Sequence, residues 1–288
     1  MIVPQTAPRK SNPFDALAPD YDKLFTHSVI GRAQRQSVWR RLHTAFRPGS
    51  RVLEINCGTG VDAVFLAKLR VRVLAVDSSE GMIAVTQARV SEAGLQEWVS
   101  ARSLAIEALG QLSKEGPFDG VLSNFGGLNC VDHLESVAKD LACLVKPGSP
   151  ALLCLMGRWC VWEMSYYLSR GQSAKAFRRV RGSVKSVSFN ARLRVYCPGM
   201  RQLANAFAPY FRVRAAEAIG LFIPPSYLET WIAQHPRFLR LATALDARVS
   251  HWPGLRHLGD HYLVEMERTS SSPPKDWEDR KSEGATKN

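Results

Sequence analysis

The amino-acid sequence predicts an α/β fold in which a parallel sheet is covered by helices on both faces, a doubly wound arrangement. Between residues 51 and 156, short apolar stretches alternate with segments whose apolar residues recur at helical spacing, which is typical of such a sheet. The second stretch ends in Asp77, which follows Gly60 at about the interval of one strand–helix–strand unit. Ligands of these sheets bind at the carboxyl ends of the strands.

The first strand and the turn after it carry the strongest binding signal. Residues 52–55 are apolar except for Glu54, and Gly58 and Gly60 then permit a tight turn before a helix begins. Such a turn presents free backbone N–H groups and the positive end of a helix to a ligand. A carboxylate at Asp77 can accept hydrogen bonds from both hydroxyls of a ribose. The sequence therefore predicts a site for a nucleoside cofactor.

The other elements follow in order along the chain. The sequence predicts an N-terminal helix ending near Phe46, a strand at 71–76, a helix at 79–93, strands at 98–104 and 118–125, a helix at 132–145 and a strand at 151–156. After Gly157 the alternation stops, and aromatic helical material is followed by one predicted strand at 184–196. A helix at 200–208 and a strand at 212–219 return to the sheet, a helical segment spans roughly 227–249, and a last strand covers 261–267.

This pattern divides the chain into an arm, one domain and a tail. We expect a flexible arm at 1–12, a domain at 13–268 with cap insertions at about 157–198 and 221–258, and a disordered tail at 269–288. A chain cut after Glu267 is expected to keep its stability.

Bulk composition limits the class of protein. No apolar leader follows Met1, and the longest apolar run, 151–156, is too short to cross a bilayer, so we expect a cytoplasmic protein. Six cysteines include no C-x-x-C pair and no accompanying histidine cluster, which predicts neither a metal site nor a disulfide framework.

The positive charge of the chain is concentrated in one region. The formal net charge is +12, and between residues 157 and 216 twelve basic residues face only Glu163, so twelve minus one leaves +11. Three interpretations stay open: a nucleic-acid face, a face for an anionic substrate or a membrane surface, and an ordinary solvated surface.

Five motifs, taken together, resemble those of the class I S-adenosylmethionine-dependent methyltransferases. They are F-D-A-L-A-P-D-Y-D (14–22), L-E-I-N-C-G-T-G (53–60), V-D-S-S-E-G-M (76–82), F-D-G-V-L-S-N-F-G-G (118–127) and L-V-K-P-G-S (144–149). They occur in that family's order and cover about residues 14–157. Two departures are Asn56, where the family usually has its first glycine, and the missing acidic residue after the third strand, where Ser103 and Leu104 stand.

The resemblance implies a Rossmann-like, doubly wound seven-stranded sheet whose last strand is antiparallel, with S-adenosylmethionine as cofactor. It implies that Tyr21 acts as a lid, that Asp77 binds the ribose and that Asn124 and Phe125 line the methyl-transfer mouth. The cofactor contacts implied as a whole are Tyr21, Glu54, Asn56, Cys57, Gly58, Thr59, Gly60, Asp77, Ser78, Met82, Ser103, Leu104, Asn124 and Phe125.

The resemblance favours an enzyme that methylates a small or medium-sized acceptor by in-line displacement, with an acidic or lipidic acceptor compatible with the basic cap. A base is needed only when the acceptor must lose a proton, and His133 and His261 are weak candidates. Weak candidates for acceptor contacts are Trp159, Tyr166, Tyr167 and Tyr227.

Three alternatives stay open. An RNA methyltransferase would use the basic cap, although nucleic acid is the less favoured partner. An NAD-dependent oxidoreductase is compatible with residues 58–63, which fit G-x-G-x-x-A. A binding protein would keep the cofactor pocket without turnover.

Overall fold

The structure, a computed structural model, describes residues 12–188 and 191–271. The arm predicted at 1–12 lies outside the described residues except for its last residue, as does the predicted tail from residue 272 onward. The strands are β1 (Arg51–Ile55), β2 (Arg72–Asp77), β3 (Val99–Ser103), β4 (Gly120–Ser123), β5 (Pro150–Met156), β6 (Ser183–Ser188), β7 (Ala191–Tyr196), β8 (Phe211–Ile219) and β9 (His261–Arg268).

Helices and single helical turns connect these strands. The α-helices are α1 (Ala18–Tyr21), α2 (Val29–Ala45), α3 (Val61–Lys68), α4 (Glu80–Glu92), α5 (Leu134–Leu144), α6 (Val161–Leu168), α7 (Ser173–Ala176), α8 (Met200–Phe207), α9 (Glu229–Ala233) and α10 (Pro236–Val249). Asp22–Thr26 is a π-helical turn, and the 3₁₀ segments are Ile106–Lys114, Gly127–Cys130, Arg179–Arg181 and Ser226–Leu228.

Seven strands form one twisted sheet in the order β3-β2-β1-β4-β5-β9-β8. The pairs from β3 through β5 are parallel, whereas β9 runs antiparallel to both β5 and β8. The predicted seven-stranded, doubly wound sheet with an antiparallel last strand is therefore confirmed. The strand order reverses between β1 and β4, and sheets of this kind bind ligands at that point.

The central strands of the sheet are buried on both faces, which explains why β1, β2, β4 and β5 are almost continuously apolar. Alternate residues of β1 point to opposite faces: Leu53 and Ile55 belong to the cluster that packs against α5 and α8. Val52 belongs to the cluster that packs against α2, α3 and α4. These two layers hold the carboxyl ends of β1, β2 and β4 in fixed relative positions.

The structure corrects one element of the region after β5. Residues 184–196 do not form a single strand, because β6 and β7 pair antiparallel as a hairpin apart from the main sheet, with Ser183 opposite Tyr196. No glycine or proline interrupts residues 183–196, so no strong turn signal divides the predicted strand. The residues that join the two strands, 189 and 190, lie outside the described part.

The second long helical segment is divided in two. α9 ends at Ala233 and α10 starts with Pro236 in its first turn, a position where the missing N–H and fixed φ of proline suit a helix start. Between β5 and α8 lie α6, α7, β6 and β7, and between β8 and β9 lie α9 and α10. Across residues 12–188 and 191–271, no helix is long and apolar enough to cross a membrane.

The end of the last strand is more firmly held than the sequence suggests. Arg268 is 2% exposed, and its guanidinium donates to the carbonyl oxygens of Ala142 (2.8 Å) and Ser271 (2.9 Å). The backbone N–H of Thr269 donates to the carbonyl oxygen of Tyr210 at 2.8 Å. A cut after Glu267 would remove all of these contacts, so the structure does not support the expectation that such a cut is harmless.

We predict that a chain ending at Glu267 loses about 2 to 4 kcal/mol of unfolding free energy, because it lacks the buried guanidinium and leaves the carbonyl oxygens of Ala142 and Tyr210 without these donors. The matched control ends at Ser271, keeps every described contact of Arg268, and should unfold at the same urea concentration as the full chain. Equal urea midpoints for the two shortened chains would contradict this account.

Candidate cofactor site

A pocket of about 770 Å³, counting its open mouth, lies at the carboxyl ends of β1, β2 and β4. Its lining consists of Phe14, Tyr21, Arg35, Glu54, Asn56, Cys57, Gly58, Thr59, Val61, Asp62, Asp77, Ser78, Met82, Asn124, Phe125, Gly126, Gly127 and Cys130. Most of the predicted cofactor residues are thus brought together. Gly60, Ser103 and Leu104 lie outside the lining.

The turn after β1 depends on left-handed backbone geometry. Asn56, Gly58 and Gly60 have φ angles of 55°, 55° and 72°, so Asn56 adopts a conformation that asparagine tolerates better than most residues. A Cβ on Gly60 would lie 2.5 Å from the Cγ2 atom of Thr86. A Cβ on Gly127 would lie 2.2 Å from the Cβ of Asn56. Glycines are needed where the backbone approaches these side chains so closely.

The carboxylate of Asp77 fixes this turn from the neighbouring strand. It accepts hydrogen bonds from the backbone N–H of Gly58 and of Ser79, both at 2.9 Å. Burial raises the pKa of Asp77, and the two backbone hydrogen bonds act in the opposite direction. Ser103 pairs with Asp77 in the sheet, and the N–H of Leu104 donates to the Asp77 carbonyl oxygen at 2.8 Å. Their role toward adenine stays a prediction.

Two buried charged side chains face the pocket with unpaired atoms. Glu54 is 1% exposed and its Oε2 atom has no hydrogen-bond partner, and the Nε atom of Arg35, 7% exposed, has none either. Burial raises the pKa of Glu54 well above its ordinary value. Buried polar atoms are almost always hydrogen-bonded. An acceptor and a donor left unpaired in one pocket fit a ligand that carries both a cationic and an anionic group.

The Nη1 group of Arg35 is held by Asp62. One Asp62 oxygen accepts from the Nη1 atom of Arg35 at 2.5 Å and from the Nδ2 atom of Asn124 at 2.8 Å, and the other accepts from the indole of Trp39 at 2.6 Å. This carboxylate therefore joins α2, the start of α3 and the end of β4. The guanidinium also lies 4.8 Å from the ring centre of Phe125.

Sequence reasoning missed Phe14, Arg35, Val61, Asp62, Gly126, Gly127 and Cys130. For Arg35 a signal existed, since Arg35 shares one helical face with the buried Val38 and Leu42. A charged residue on an apolar face is rarely buried without a partner. The partner, Asp62, lies 27 residues away, and nothing in the local pattern connects the two.

Residues 12–26, which we name the strap, lie across the pocket, with Phe14 and Tyr21 in its lining. Asp15 accepts from the Ser79 hydroxyl at 2.6 Å and from the N–H of Gly81 at 3.1 Å. The hydrogen bond from Ser79 is the main cause of the lowered pKa of Asp15. A second pair of contacts, made by Asp22, holds the other end of the strap.

Asp22 anchors that end to the glycine turn. Its carboxylate accepts from the hydroxyl of Thr59 at 2.7 Å and forms an ion pair with Arg89. The Nε atom of Arg89 donates to the Thr59 carbonyl oxygen at 2.7 Å. The strap is thus bonded to the segments that follow β1 and β2 at the floor of the pocket.

The weak candidates for a base lie outside the lining. His133 has a side chain 79% exposed, 3.4 Å from Asp132. His261 is buried behind Phe125, with ring centres 5.5 Å apart, and its Nδ1 atom lies 3.4 Å from Asp260. Both roles stay predictions.

The weak candidates for acceptor contacts also lie elsewhere. Tyr166, Tyr167 and Tyr227 contact one another on the cap, with ring centres 4.8 to 6.3 Å apart, and Trp159 is 41% exposed. None of the four lines the pocket.

Comparison with known proteins identifies the segment that builds this site. Residues 52–148 match a family model described as a methyltransferase domain. A demethylmenaquinone methyltransferase from Mycobacterium sp. (strain KMS) is 33% identical over 144 residues, 49% of this chain and 56% of that protein. A 2-phytyl-1,4-naphtoquinone methyltransferase from Synechococcus elongatus is 29% identical over 154 residues, 50% of this chain and 62% of that protein. The chain spans little more than half the length of these curated relatives.

A solved structure extends the likeness to most of the chain. The crystal structure of the cyclase SpnF covers 90% of this chain and 94% of its own, with a TM-score of 0.59 and 14% identity. At this identity the likeness shows the fold alone. The family match over residues 52–148 confirms the resemblance to the methyltransferases that the motifs predicted.

We predict that Glu54→Gln stabilises the protein, and increasingly so as pH rises. In the unfolded chain the carboxyl ionises near 4.5, whereas the folded pKa is raised. As pH rises above 4.5 the unfolded state therefore loses this proton first, and wild-type stability falls relative to the glutamine variant. Urea unfolding at pH 5 and pH 8 should show a gap that widens to about 1 kcal/mol or more.

Glu92→Gln is the matched control, because Glu92 is exposed on α4. Its stability difference from the wild type should not widen between the two pH values. A constant gap for Glu54→Gln would show that its carboxyl is not raised in pKa.

Proposed function

We propose that this chain, whose residues 52–148 match the methyltransferase domain, transfers a methyl group from S-adenosylmethionine to a small, apolar acceptor of the quinone type. One observation carries the proposal. Asp77, at the end of β2, lines the same pocket as Glu54 and Arg35, whose Oε2 and Nε atoms have no hydrogen-bond partner. These groups complement the ribose and the amino-acid ends of that cofactor.

The chain's own residues fit the cofactor part by part. Asp77 would accept from the ribose hydroxyls, Glu54 would accept from the ammonium group, and Arg35 would donate to the carboxylate. Gly58 lines the pocket, and a Cβ there would project into open space, so glycine leaves that space to the ligand. When bound, the cofactor supplies a methyl group activated by a sulfonium.

The protein's main tasks are to align the acceptor with the methyl group and to exclude water from the reacting centre. An in-line displacement is accelerated chiefly by holding the reacting groups in position. The strap bonds to Ser79 and Thr59 and covers the pocket, so it would keep water from the reacting centre. No protonation step is assigned to His133 or His261, since neither lines the pocket.

The acceptor class rests on the relatives and on the apolar side of the pocket. The two relatives are named for methylation of demethylmenaquinone and of a phytyl naphthoquinone. Here, Phe125, which the resemblance places at the methyl-transfer mouth, lines the pocket, and Phe25 packs edge-on against it at 5.1 Å. Flat apolar rings pack well against such side chains.

The family match names a methyltransferase domain and so gives no support to an NAD-dependent oxidoreductase. The two relatives are named for quinone acceptors and so give no support to an RNA-directed enzyme. A binding protein without turnover needs its own test, because the same fold occurs in a cyclase. A cytoplasmic location stays a prediction.

We predict that two kinds of variant separate the parts of the cofactor site. Arg35→Lys keeps a cation beside Asp62 but removes the Nε donor, so its affinity for S-adenosylhomocysteine should fall about tenfold. Its affinity for 5′-methylthioadenosine, which lacks the amino-acid group, should hardly change. Asp77→Asn should lower the affinity for both ligands by about tenfold or more, because both carry the ribose.

Calorimetric titration measures both ligands, and Glu92→Gln serves as the control that alters a carboxylate far from the pocket. Equal losses of affinity for the two ligands in Arg35→Lys would contradict the assignment of Arg35. Unchanged binding in Asp77→Asn would show that the ribose ligand is misassigned.

We predict turnover with a reduced 2-prenyl-1,4-naphthoquinone. Incubation with S-adenosylmethionine should yield a product heavier by one methylene unit in mass spectrometry, and Asp77→Asn should reduce its rate by tenfold or more. Cofactor binding without any methylated naphthoquinone would refute the acceptor class while leaving the cofactor site intact.

A further inference from the structure

Six aromatic side chains from the two inserted regions form one surface, which we name the aromatic cap face: Trp162, Tyr166, Tyr167, Tyr227, Trp231 and Phe238. Tyr166 lies 4.8 Å from Tyr227, and Phe238 lies 5.2 Å from Trp231 and 6.3 Å from Trp162, between ring centres. On α6, Trp162 and Tyr166 are four residues apart and so share one side of the helix. The face therefore joins α6 to α9 and α10.

Much of this surface is open to solvent. Tyr227 and Trp231 are each 40% exposed, and beside them Leu168 is 47% and Leu241 59% exposed. Leu168 follows Tyr167 at the end of α6, and Leu241 lies one helical turn after Phe238 on α10. Exposed apolar residues that cluster in this way mark an interaction surface more often than scattered ones do.

The charges exposed on this face are positive. Arg170 lies 3.7 Å from the ring centre of Tyr166, and Lys175 lies 5.7 Å from that of Tyr167. Arg237 is exposed one turn before Leu241. These cations surround the aromatic rings from two sides.

The two carboxylates of these segments are turned inward. Between residues 161 and 178 and between 226 and 241 the acidic residues are Glu163 and Glu229. Glu163 is 1% exposed and is bound by Arg178 and Arg179. Glu229 accepts from the backbone N–H groups of Val29 and Ile30 at the start of α2. Neither offsets the positive charge at the surface.

We propose that the aromatic cap face docks on the surface of an anionic phospholipid bilayer. Tryptophan and tyrosine favour the interface between water and acyl chains, exposed leucines enter the apolar layer, and Lys and Arg bind anionic headgroups. The chemistry of this face, aromatic and aliphatic with only positive exposed charge, matches that partner.

Single-stranded RNA is the other partner that combines cations with aromatic rings, and the geometry favours it less. Bases bind by stacking on free ring faces, but Arg170 and Lys175 lie over Tyr166 and Tyr167. Two exposed leucines add area that an acyl layer binds and a base does not. The contacts thus favour lipid.

The location of the face adds a consequence for the proposed function. α6 begins five residues after the end of β5, at the same edge of the sheet as the pocket. A protein docked through this face would hold the pocket's edge of the sheet near the bilayer, where an apolar acceptor dissolves. This consequence rests on the proposed function, whereas docking itself does not.

Sedimentation with large unilamellar vesicles tests the proposal without cofactor or acceptor. The full chain should bind vesicles of phosphatidylcholine with about 30% phosphatidylglycerol at least tenfold more tightly than pure phosphatidylcholine, and 0.5 M NaCl should remove most of that gain. Equal binding to the two compositions, or no binding, would overturn the proposal. Binding to poly(U) without binding to vesicles would also overturn it.

Variants locate the contact on the protein. Arg170→Glu with Lys175→Glu should weaken binding to anionic vesicles by about tenfold or more. The matched control, Arg47→Glu with Arg72→Glu, makes the same charge change at the opposite edge of the sheet, where both side chains are exposed. It should lose less affinity than the cap variant. Equal losses would show that net charge alone, not the aromatic cap face, is responsible.

The apolar contribution has its own pair of variants. Leu168→Ala with Trp231→Ala should weaken binding several-fold, whereas Trp252→Ala, which removes another exposed tryptophan, should not. Thermal unfolding of each variant verifies that it is folded. If vesicle binding fails while S-adenosylhomocysteine still binds, only the docking proposal falls. If vesicles bind and the cofactor does not, only the proposed function falls.

Discussion

The close contact between the turn after β1 and its neighbouring strands is the constraint on which the site depends. Asp77 holds the N–H of Gly58, and Gly127 packs against Asn56 with no room for a Cβ. Parallel order brings β1, β2 and β4 side by side, so three loops distant in sequence meet at one edge. The turns after these three strands therefore line one pocket.

The pocket contains more charge than its protein partners neutralise. Asp62 is fully bonded by Arg35, Trp39 and Asn124, yet Glu54 keeps an unpaired oxygen in a buried position. A buried polar atom without a partner costs stability, and a ligand that supplies the missing partner recovers that free energy on binding. This explains how a site can favour its ligand at the expense of the unliganded fold.

The sequence predicted those features of the fold and the site that depend on residues close together in the chain. Strand periodicity, the turn around Gly58 and the interval to Asp77 were sufficient for the sheet and for most of the pocket floor. Arg35 and Asp62 were missed because their pairing spans two elements, and the hairpin of β6 and β7 was missed because no glycine or proline marks its turn. The aromatic cap face could not be predicted either, since it is assembled from segments about 60 residues apart.

The central claim is that the pocket binds S-adenosylmethionine, and calorimetric titration of the wild-type chain with S-adenosylhomocysteine and, separately, with NADH tests it most directly. The account predicts saturable one-to-one binding of S-adenosylhomocysteine and no heat of binding for NADH. Binding of NADH alone would assign the glycine turn to a nicotinamide cofactor and would contradict the account.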